Sequence, residues 1–335
     1  MLRRVQSMTD SSARKYGGSA LCHLICFLIC LSTPGIIVAQ QGAAQKKPDA
    51  AVRAQMRNVR YRFSDDISVH IHSLNGALVP TGDNDFPILD DKNSFRIHID
   101  AAEISISARS LASLLNTYVF AGPSSPLSRI SVSIVDGQLK MNGRLHDKGD
   151  IPFEAQGVLS PTPDGRVRLH SEKIKALHVP VKGLMDAFGI GVDDMIKSGK
   201  VPGVQAEGND LILDLEQMLP PPHIDGKVTA VRIENHSIIQ TFGGTGATPA
   251  AKLQNANYMS YRGNRLRFGR LTMDDADVVL YDMDPADAMD FFLDHYREQV
   301  AAGYTKISTN FQLRVFLKDF DKLGEARSIA KGKAN

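Results

Sequence analysis

The stretch ISVSIVDGQLKM, residues 130–141, decides the fold class. Apolar and polar residues alternate on both sides of Asp136-Gly137, as they do in strands that turn one face toward a core. The Asp-Gly pair supplies the positive φ angles that a tight two-residue hairpin turn requires. The stretch therefore predicts an antiparallel β-hairpin with one buried face.

The same alternation recurs between about residues 58 and 242, which we predict to be a β-rich domain. Asp164-Gly165 lies between two alternating runs and predicts a second tight hairpin. A largely antiparallel sheet is expected, because consecutive strands joined by short turns pair in that way. The alternating runs are residues 96–99, 103–107, 130–134, 138–141, 167–169, 211–215 and 228–233.

Two segments interrupt this alternation in the same manner. Residues 96–120 and 166–190 align without a gap, and each predicts a strand, a second strand and an amphipathic helix. In each predicted helix four apolar residues recur at i, i+3, i+4 and i+7, which places them on one helix face. These residues are Leu111, Leu114, Leu115 and Tyr118 in the first helix and Val181, Leu184, Met185 and Phe188 in the second.

The region after Gly243 predicts a further unit. Residues 243–256 are expected to form a linker, residues 257–323 a strand–strand–helix–strand unit, and residues 324–335 a basic tail. The helix is predicted to start near Pro285 with Asp284 as its N-cap. Its apolar face would consist of Met289, Phe292, Leu293, Tyr296 and Val300. The expected fold class is α+β, with a long curved antiparallel sheet wrapped on amphipathic helices in two or three strand–strand–helix units.

The first 39 residues carry the basic surplus and all three cysteines of the chain. A basic start, a short apolar run and a small residue at Ala39 predict a secretory signal peptide over residues 1–39, followed by a flexible tether over residues 40–57. An uncleaved membrane anchor is the alternative. The rest of the chain has 35 basic and 36 acidic residues and no thiol, which excludes a cysteine nucleophile and gives no charge surplus for nucleic-acid binding.

The exported part of the chain has few patterns that point to catalysis. Its sequence contains no Gly-x-Ser-x-Gly elbow, no His-Glu-x-x-His and no phosphate-loop lysine. His70 and His72 share a strand face at a spacing that can hold a metal, but no third ligand follows at a fixed spacing. The aspartates of residues 274–290 lack the glycine and glutamate of a calcium loop, so capping and a solvated surface explain them better. With no Trp, a lectin is also disfavoured, and we expect no enzyme activity, cofactor or metal.

A curved sheet that packs incompletely on helices leaves an apolar groove, and lipids are natural ligands of such grooves. Periodicity alone does not distinguish an open groove from a filled core. An exported structural or interaction module with a closed core is therefore the alternative function. An exported hydrolase comes third, because it would need Ser, His and Asp from positions that the sequence does not link.

Short motifs between about residues 95 and 245 resemble the LmeA-like (DUF2993-type) phospholipid-binding proteins of bacterial envelopes, which are similar to the tubular lipid-binding (TULIP) superfamily. The motifs are VDGQLKMNG at residues 135–143, IPFEAQG at 151–157, DGRVRL at 164–169, VPV at 179–181, GNDLILDL at 208–215, LPPP at 219–222 and GKV at 226–228. The resemblance implies a curved sheet wrapped on a helix around an acyl-chain channel, and lipid binding without catalysis. The region after Gly243 has no counterpart in this resemblance.

The sequence thus predicts a non-enzymatic exported protein of the bacterial cell envelope that binds or transfers lipids or phospholipids. The expected location is the periplasm or the extracellular side, with contact to a membrane surface and no nucleic-acid partner. The apolar groove is expected to be lined by the eight helix-face residues named above. The sequence leaves the lipid and the oligomeric state open.

Overall fold

The structure is a computed structural model that describes residues 51–123, 125–146, 150–176, 179–180, 201–243 and 257–324. All of these residues belong to one compact unit within Lys46–Asn335. The predicted signal peptide, the helix expected after residue 180, nearly all of the predicted linker and the basic tail beyond residue 324 lie outside the described residues. The tether was predicted to end at residue 57, whereas the first strand already begins at Val52.

Most of the described chain is β-strand, arranged as an eleven-stranded sheet, a seven-stranded sheet and a small hairpin, with a few short helices. This bears out the α+β class in its general form. The strands of the large sheet are β1 (Val52–Arg62), β2 (Ser68–Pro80), β3 (Phe95–Ser107), β11 (Ile224–Asp225), β12 (Val228–Glu234), β13 (Ser237–Phe242), β14 (Tyr258–Gly263), β17 (Ala276–Asp282), β18 (Met289–Phe292), β19 (Tyr304–Ile307) and β20 (Leu313–Leu317).

The large sheet runs in the order β12-β13-β3-β2-β1-β14-β17-β20-β19, with β11 on β3 and β18 on β1. Its pairs are antiparallel except for β11 with β3, β18 with β1 and β17 with β20. The first half of β1 pairs with β14 and its second half pairs with β18. Asn58 lies at this change of partner with φ +51°, a left-handed conformation that asparagine tolerates better than most residues. The strands after Gly243 therefore extend the same sheet as β1–β3.

The seven-stranded sheet has the order β4-β5-β6-β7-β10-β9, with β8 on β7. Its strands are β4 (Leu127–Val135), β5 (Gln138–His146), β6 (Asp150–Pro161), β7 (Val167–Ala176), β8 (Val179–Pro180), β9 (Val204–Glu207) and β10 (Asp210–Leu213). The small hairpin pairs β15 (Leu266–Phe268) with β16 (Leu271–Met273). The helices are α1 (Ala108–Leu114), α2 (Leu215–Met218) and α3 (Tyr296–Ala301).

The hairpin predicted over residues 130–141 is confirmed. β4 and β5 pair antiparallel, and the turn residues Asp136 and Gly137 have φ angles of +51° and +73°. The second predicted hairpin, β6–β7, has a wider turn because Thr162 closes a five-residue loop. The Thr162 amide donates to the Arg166 carbonyl at 2.8 Å, and the Thr162 hydroxyl accepts from the Arg166 amide at 2.8 Å.

Both sheets bend at glycines. The pairing of β2 with β3 shifts between Asn75 and Gly76, and that of β6 with β7 shifts between Gln156 and Gly157. A Cβ atom at either glycine would collide with the carbonyl oxygen of the neighbouring strand. The absence of a side chain therefore lets each strand approach its neighbour closely and bend there.

The first predicted helix is present but changes its winding. Ser107 caps α1 by accepting from the Ser110 amide at 3.1 Å, and the chain then continues as one π-helical turn over Leu115–Val119. Asn116 ties this turn to β4, since its Nδ2 donates to the Ile130 carbonyl at 2.7 Å and its Oδ1 accepts from the Ile130 amide at 2.8 Å. The wider turn moves later side chains away from the face that a regular α-helix would give them.

The helix predicted from Pro285 is wrong in its first half. Met289–Phe292 is strand β18, a single 3₁₀ turn covers Leu293–His295, and the helix α3 starts only at Tyr296. All four residues of β18 are buried, and the strand pairs in parallel with Val59–Arg62 of β1. A short segment with several apolar residues is ambiguous between helix and strand, and here pairing with the centre of the large sheet decides it.

Candidate functional site

An apolar cleft, which we call the main cleft, lies between the two sheets beside α1. The space in it that the centre of a water molecule can occupy is about 50 Å³. Its walls come from β2, β3, β11 and β13 of the large sheet, from β5, β6, β7 and β10 of the smaller sheet, and from α1 and α2 with Leu219, which follows it. Fifteen of its sixteen lining side chains are apolar. The exception is Gln240, which is 9% exposed.

A second apolar cavity, the inner cleft, adjoins the main cleft and has about 30 Å³ of space for the centre of a water molecule. The two share Leu111 of α1, Leu139 of β5 and Leu213 of β10 as lining residues. Every residue that lines the inner cleft is apolar. The two cavities therefore border the same three side chains beside α1. The inner cleft is lined by Leu111, Leu115, Phe120, Leu127, Leu139, Met141, Leu169, Val204, Leu211 and Leu213.

The main cleft also adjoins a polar depression, which we call the polar mouth and which has about 370 Å³ of space for the centre of a water molecule. They share Leu215, Ile224 and Phe242. The polar mouth lies where the two sheets meet, since the Val228 amide of β12 donates to the Gly165 carbonyl of the β6–β7 loop at 2.9 Å. Its charged residues are Asp164, Arg166, Asp214, Glu216, Asp225 and Lys227.

Several of these charges are already paired. Arg166 Nε lies 2.7 Å from Asp164 Oδ2, and the Thr162 hydroxyl and this guanidinium hold the pKa of the Asp164 carboxyl below its usual range. Asp214 caps α2, accepting from the Glu216 amide at 3.1 Å. Asp225 lies 3.1 Å from His98 Nδ1.

Lys227 and Glu216 have no ion-pair partner among the residues that the structure describes. The polar mouth therefore offers one unpaired ammonium and one unpaired carboxylate, beside an almost wholly apolar cleft. A molecule with a polar end and an apolar end would match this combination of surfaces.

Three of the eight residues predicted to line a groove do so. Leu114 lies on the wall of the main cleft, Leu115 on that of the inner cleft, and Leu111 on both. Tyr118 lines neither of them and is 41% exposed, because it belongs to the π-helical turn that departs from the regular helix face. The other four predicted residues, Val181, Leu184, Met185 and Phe188, lie outside the described residues.

The residue that distinguishes the main cleft, Gln240, was not among the predicted site residues. On β13 the side chains of Ile238, Gln240 and Phe242 line the main cleft at every second position. The sequence did offer one signal for this residue, since Gln240 is a single amide in a series of alternate positions that are otherwise apolar. Periodicity did not identify it as functional, because strand pattern alone does not tell a core face from a cleft wall.

The two histidines on one strand face do lie together, with ring centroids 4.1 Å apart. Each has a protein partner, since His70 Nε2 lies 2.8 Å from Asn58 Oδ1 and His72 Nε2 lies 3.1 Å from Ser105 Oγ. Burial lowers the pKa of His70 to about 4, with His72 and Arg60 adding to the effect. These hydrogen bonds explain the pair as part of the sheet.

Within the described residues, Asp282, Asp287 and Asp319 bring carboxylate oxygens within 4.8 Å of one another. Lys322 Nζ lies 3.0 Å from Asp287 and 2.9 Å from Asp319, and it also reaches Asp284 at 2.8 Å. The ammonium group offsets part of the negative charge of this acidic cluster. The cluster is therefore explained as a charge network that holds the end of the described chain.

A Ser–His–Asp arrangement occurs at the start of β4, the end of β5 and the start of β6. His146 Nε2 lies 2.6 Å from Ser128 Oγ, and its Nδ1 lies 3.5 Å from Asp150 Oδ1. The side chains of His146 and Asp150 are 42% and 47% exposed. None of the three residues lines the main cleft, the inner cleft or the polar mouth. The arrangement has the contacts of a triad but lacks a substrate pocket among these cavities.

Comparison with protein-family models, with curated proteins and with solved structures finds no match to this chain. In the part of the chain that the structure describes, no helix is long and apolar enough to cross a membrane. The function must therefore be argued from the geometry of the clefts and the polar mouth.

Proposed function

We propose that the protein is a non-enzymatic, exported lipid-binding or lipid-transfer protein of the bacterial cell envelope. The observation that carries the proposal is that two apolar clefts and a charged polar mouth lie side by side and share lining residues. Fifteen of the sixteen side chains that line the main cleft are apolar, and acyl chains are the ligands that such a surface would desolvate favourably. The charged residues of the polar mouth would hold a headgroup in contact with water.

The resemblance to LmeA-like proteins and to the tubular lipid-binding superfamily supports the same proposal. The resemblance implies an acyl-chain channel beside a helix, the main cleft lies between the two sheets beside α1, and motif residues such as Leu139, Leu213 and Leu219 line it. On this proposal the chain works in the periplasm or outside the cell, in contact with a membrane surface. Acyl chains of lipids or phospholipids are its partners.

The proposal is tested by asking whether lipid accompanies the purified protein. The full chain is expressed in a bacterial host, purified without detergent and extracted with organic solvent. Mass spectrometry of the extract should detect phospholipid or another acyl lipid in a fixed molar ratio to protein. After delipidation, the protein should take up lipid again from vesicles of phosphatidylcholine and phosphatidylglycerol.

An extract without lipid, together with no uptake from vesicles, would contradict lipid binding. That result would favour the alternative of an exported structural or interaction module whose core is closed. Uptake without transfer to acceptor vesicles would identify a binding protein and exclude a transfer protein. The molar ratio of lipid to protein should also be measured in variants whose larger side chains fill the clefts. An unchanged ratio in these variants would show that the lipid is held elsewhere.

A further inference from the structure

The amide of Gln240 lies in the wall of the main cleft without a hydrogen-bond partner among the described residues. Gln240 is 9% exposed and is the single polar residue among the described residues of the cleft wall, and its amide atoms keep some contact with solvent. Its amide has no hydrogen bond to any described residue, whereas the backbone of Gln240 is paired in β13. Its neighbours on the same strand face, Ile238 and Phe242, are apolar.

An amide in this position has lost most of its access to water and has no described protein partner in its place. Removing an amide from water lowers stability unless another hydrogen bond replaces the lost ones. A leucine would fit the alternation of β13 and would avoid this loss. The amide is uncharged and offers two donors and one carbonyl acceptor, so it suits a neutral polar group of a ligand better than a phosphate or an ammonium.

The position of Gln240 along β13 indicates which part of a lipid would reach it. Phe242 lines both the main cleft and the polar mouth, and Gln240 lies two residues further from the mouth. At about 3.3 Å per residue along a strand, the amide lies about 7 Å from this boundary. In an acyl lipid the carbonyl group stands between the headgroup and the hydrocarbon chain. A lipid with its headgroup in the polar mouth would therefore bring its carbonyl near Gln240.

We propose that Gln240 donates a hydrogen bond to the acyl carbonyl of an ester- or amide-linked lipid and so selects acyl lipids over ether-linked ones. The inference rests on the proposed function and adds the chemical class of the ligand. The chain would run from this carbonyl past Ile104 and Leu111 toward the inner cleft. A site that hydrogen-bonds one group of its ligand disfavours an analogue without that group, since its buried polar atom then stays unpaired.

The test uses a diacyl phosphatidylcholine and its dialkyl ether analogue with chains of equal length. Delipidated full-length protein is incubated with vesicles containing both lipids in equal amounts, and the bound lipids are measured by mass spectrometry. The wild type should retain the diacyl lipid about 3- to 10-fold better, which corresponds to one net hydrogen bond. Gln240→Leu should bind both lipids equally and should retain the ether lipid at least as well as the wild type does.

Thr241→Val is the matched control, because the neighbouring residue on β13 lines neither the main cleft nor the polar mouth. It should keep the wild-type preference. Gln240→Asn shortens the side chain by one methylene group and should reduce the preference. It provides a second variant at this position in case the leucine variant does not fold. Equal retention of the two lipids by the wild type, or a preference that survives in Gln240→Leu, would overturn the inference while leaving lipid binding intact. Retention of neither lipid would remove the proposed function and this inference with it.

Discussion

Arg62 and Asp290 join β1 to β18 through two parallel hydrogen bonds. Arg62 donates from Nε to Asp290 Oδ1 and from Nη2 to Oδ2, both at 2.7 Å. Asp290 is 1% exposed, and its backbone amide donates to Asp319 Oδ1 at 2.8 Å. The ion pair thus lies at the junction between the first strand and the last part of the described chain. It connects segments that are 228 residues apart.

Asp290→Asn should lower the free energy of unfolding by about 3 kcal/mol, because it leaves a largely buried guanidinium without its counter-ion. Asp294→Asn is the matched control, since its pair with Lys92 at 2.9 Å is exposed. It should change the free energy of unfolding by no more than about 1 kcal/mol. Urea denaturation of both variants measures the difference. Equal effects would show that the buried pair does not stabilise the junction.

Leu139→Trp should distinguish an open cleft from a closed core. Leu139 lines both the main and the inner cleft, so a larger side chain should enter existing space and change the free energy of unfolding by less than about 1 kcal/mol. The same substitution should abolish lipid uptake from vesicles.

Leu145→Trp is the control on the same strand. Leu145 is fully buried and lines neither cleft, so overpacking there should destabilise the fold by about 1–3 kcal/mol. Strong destabilisation by both variants would support a closed core.

The stability of the protein should depend on pH through His70. Because the pKa of His70 is lowered to about 4 in the folded state, unfolding takes up a proton between about pH 4 and pH 6.5. This histidine therefore makes the free energy of unfolding fall as the pH drops from 6.5 to 4, with no further loss below that range. His70→Gln should remove this part of the pH dependence, and His236→Gln, at an exposed turn, should keep it. Thermal melts at intervals across this range measure the slope. An unchanged slope in His70→Gln would contradict the prediction.

Lys227 should contribute to binding of a phosphate-bearing headgroup in the polar mouth. Lys227→Gln should reduce retention of phosphatidylglycerol about 2- to 5-fold, as expected for one exposed ionic contact. The loss should shrink at high salt, because mobile ions screen the contact. Lys173→Gln removes an exposed lysine of β7 outside the polar mouth and should leave retention unchanged. Equal retention by all three proteins would show that the headgroup does not lie against Lys227.

Ser128 should not react as a hydrolase nucleophile. Although His146 lies 2.6 Å from its hydroxyl, the arrangement is exposed and lines none of the three cavities. A fluorophosphonate probe should therefore leave the protein unlabelled at concentrations that label a serine esterase control. Labelling of the wild type that disappears in Ser128→Ala would replace the proposed function with hydrolysis.

Local sequence determined the features that depend on neighbouring residues. The alternation over residues 130–141 and the Asp136-Gly137 turn predicted the β4–β5 hairpin, because a turn and its flanking strands are set by nearby side chains. The apolar spacing of α1 likewise placed Leu111, Leu114 and Leu115 on one face, and all three line the clefts.

Tertiary structure decided the features in which distant segments compete for the same residues. The sequence of β18 fits a helix face, but pairing with β1 and the Arg62–Asp290 contact make it a strand. The bonds of Asn116 to Ile130 accompany a π turn that moves Tyr118 off the cleft. The main cleft itself forms because strands from two sheets and two helices surround Gln240 without filling the space beside it. The periodicity of a sequence indicates which face of a strand is apolar. The distance between two such faces, and so whether a cleft stays open between them, depends on the packing of the whole chain.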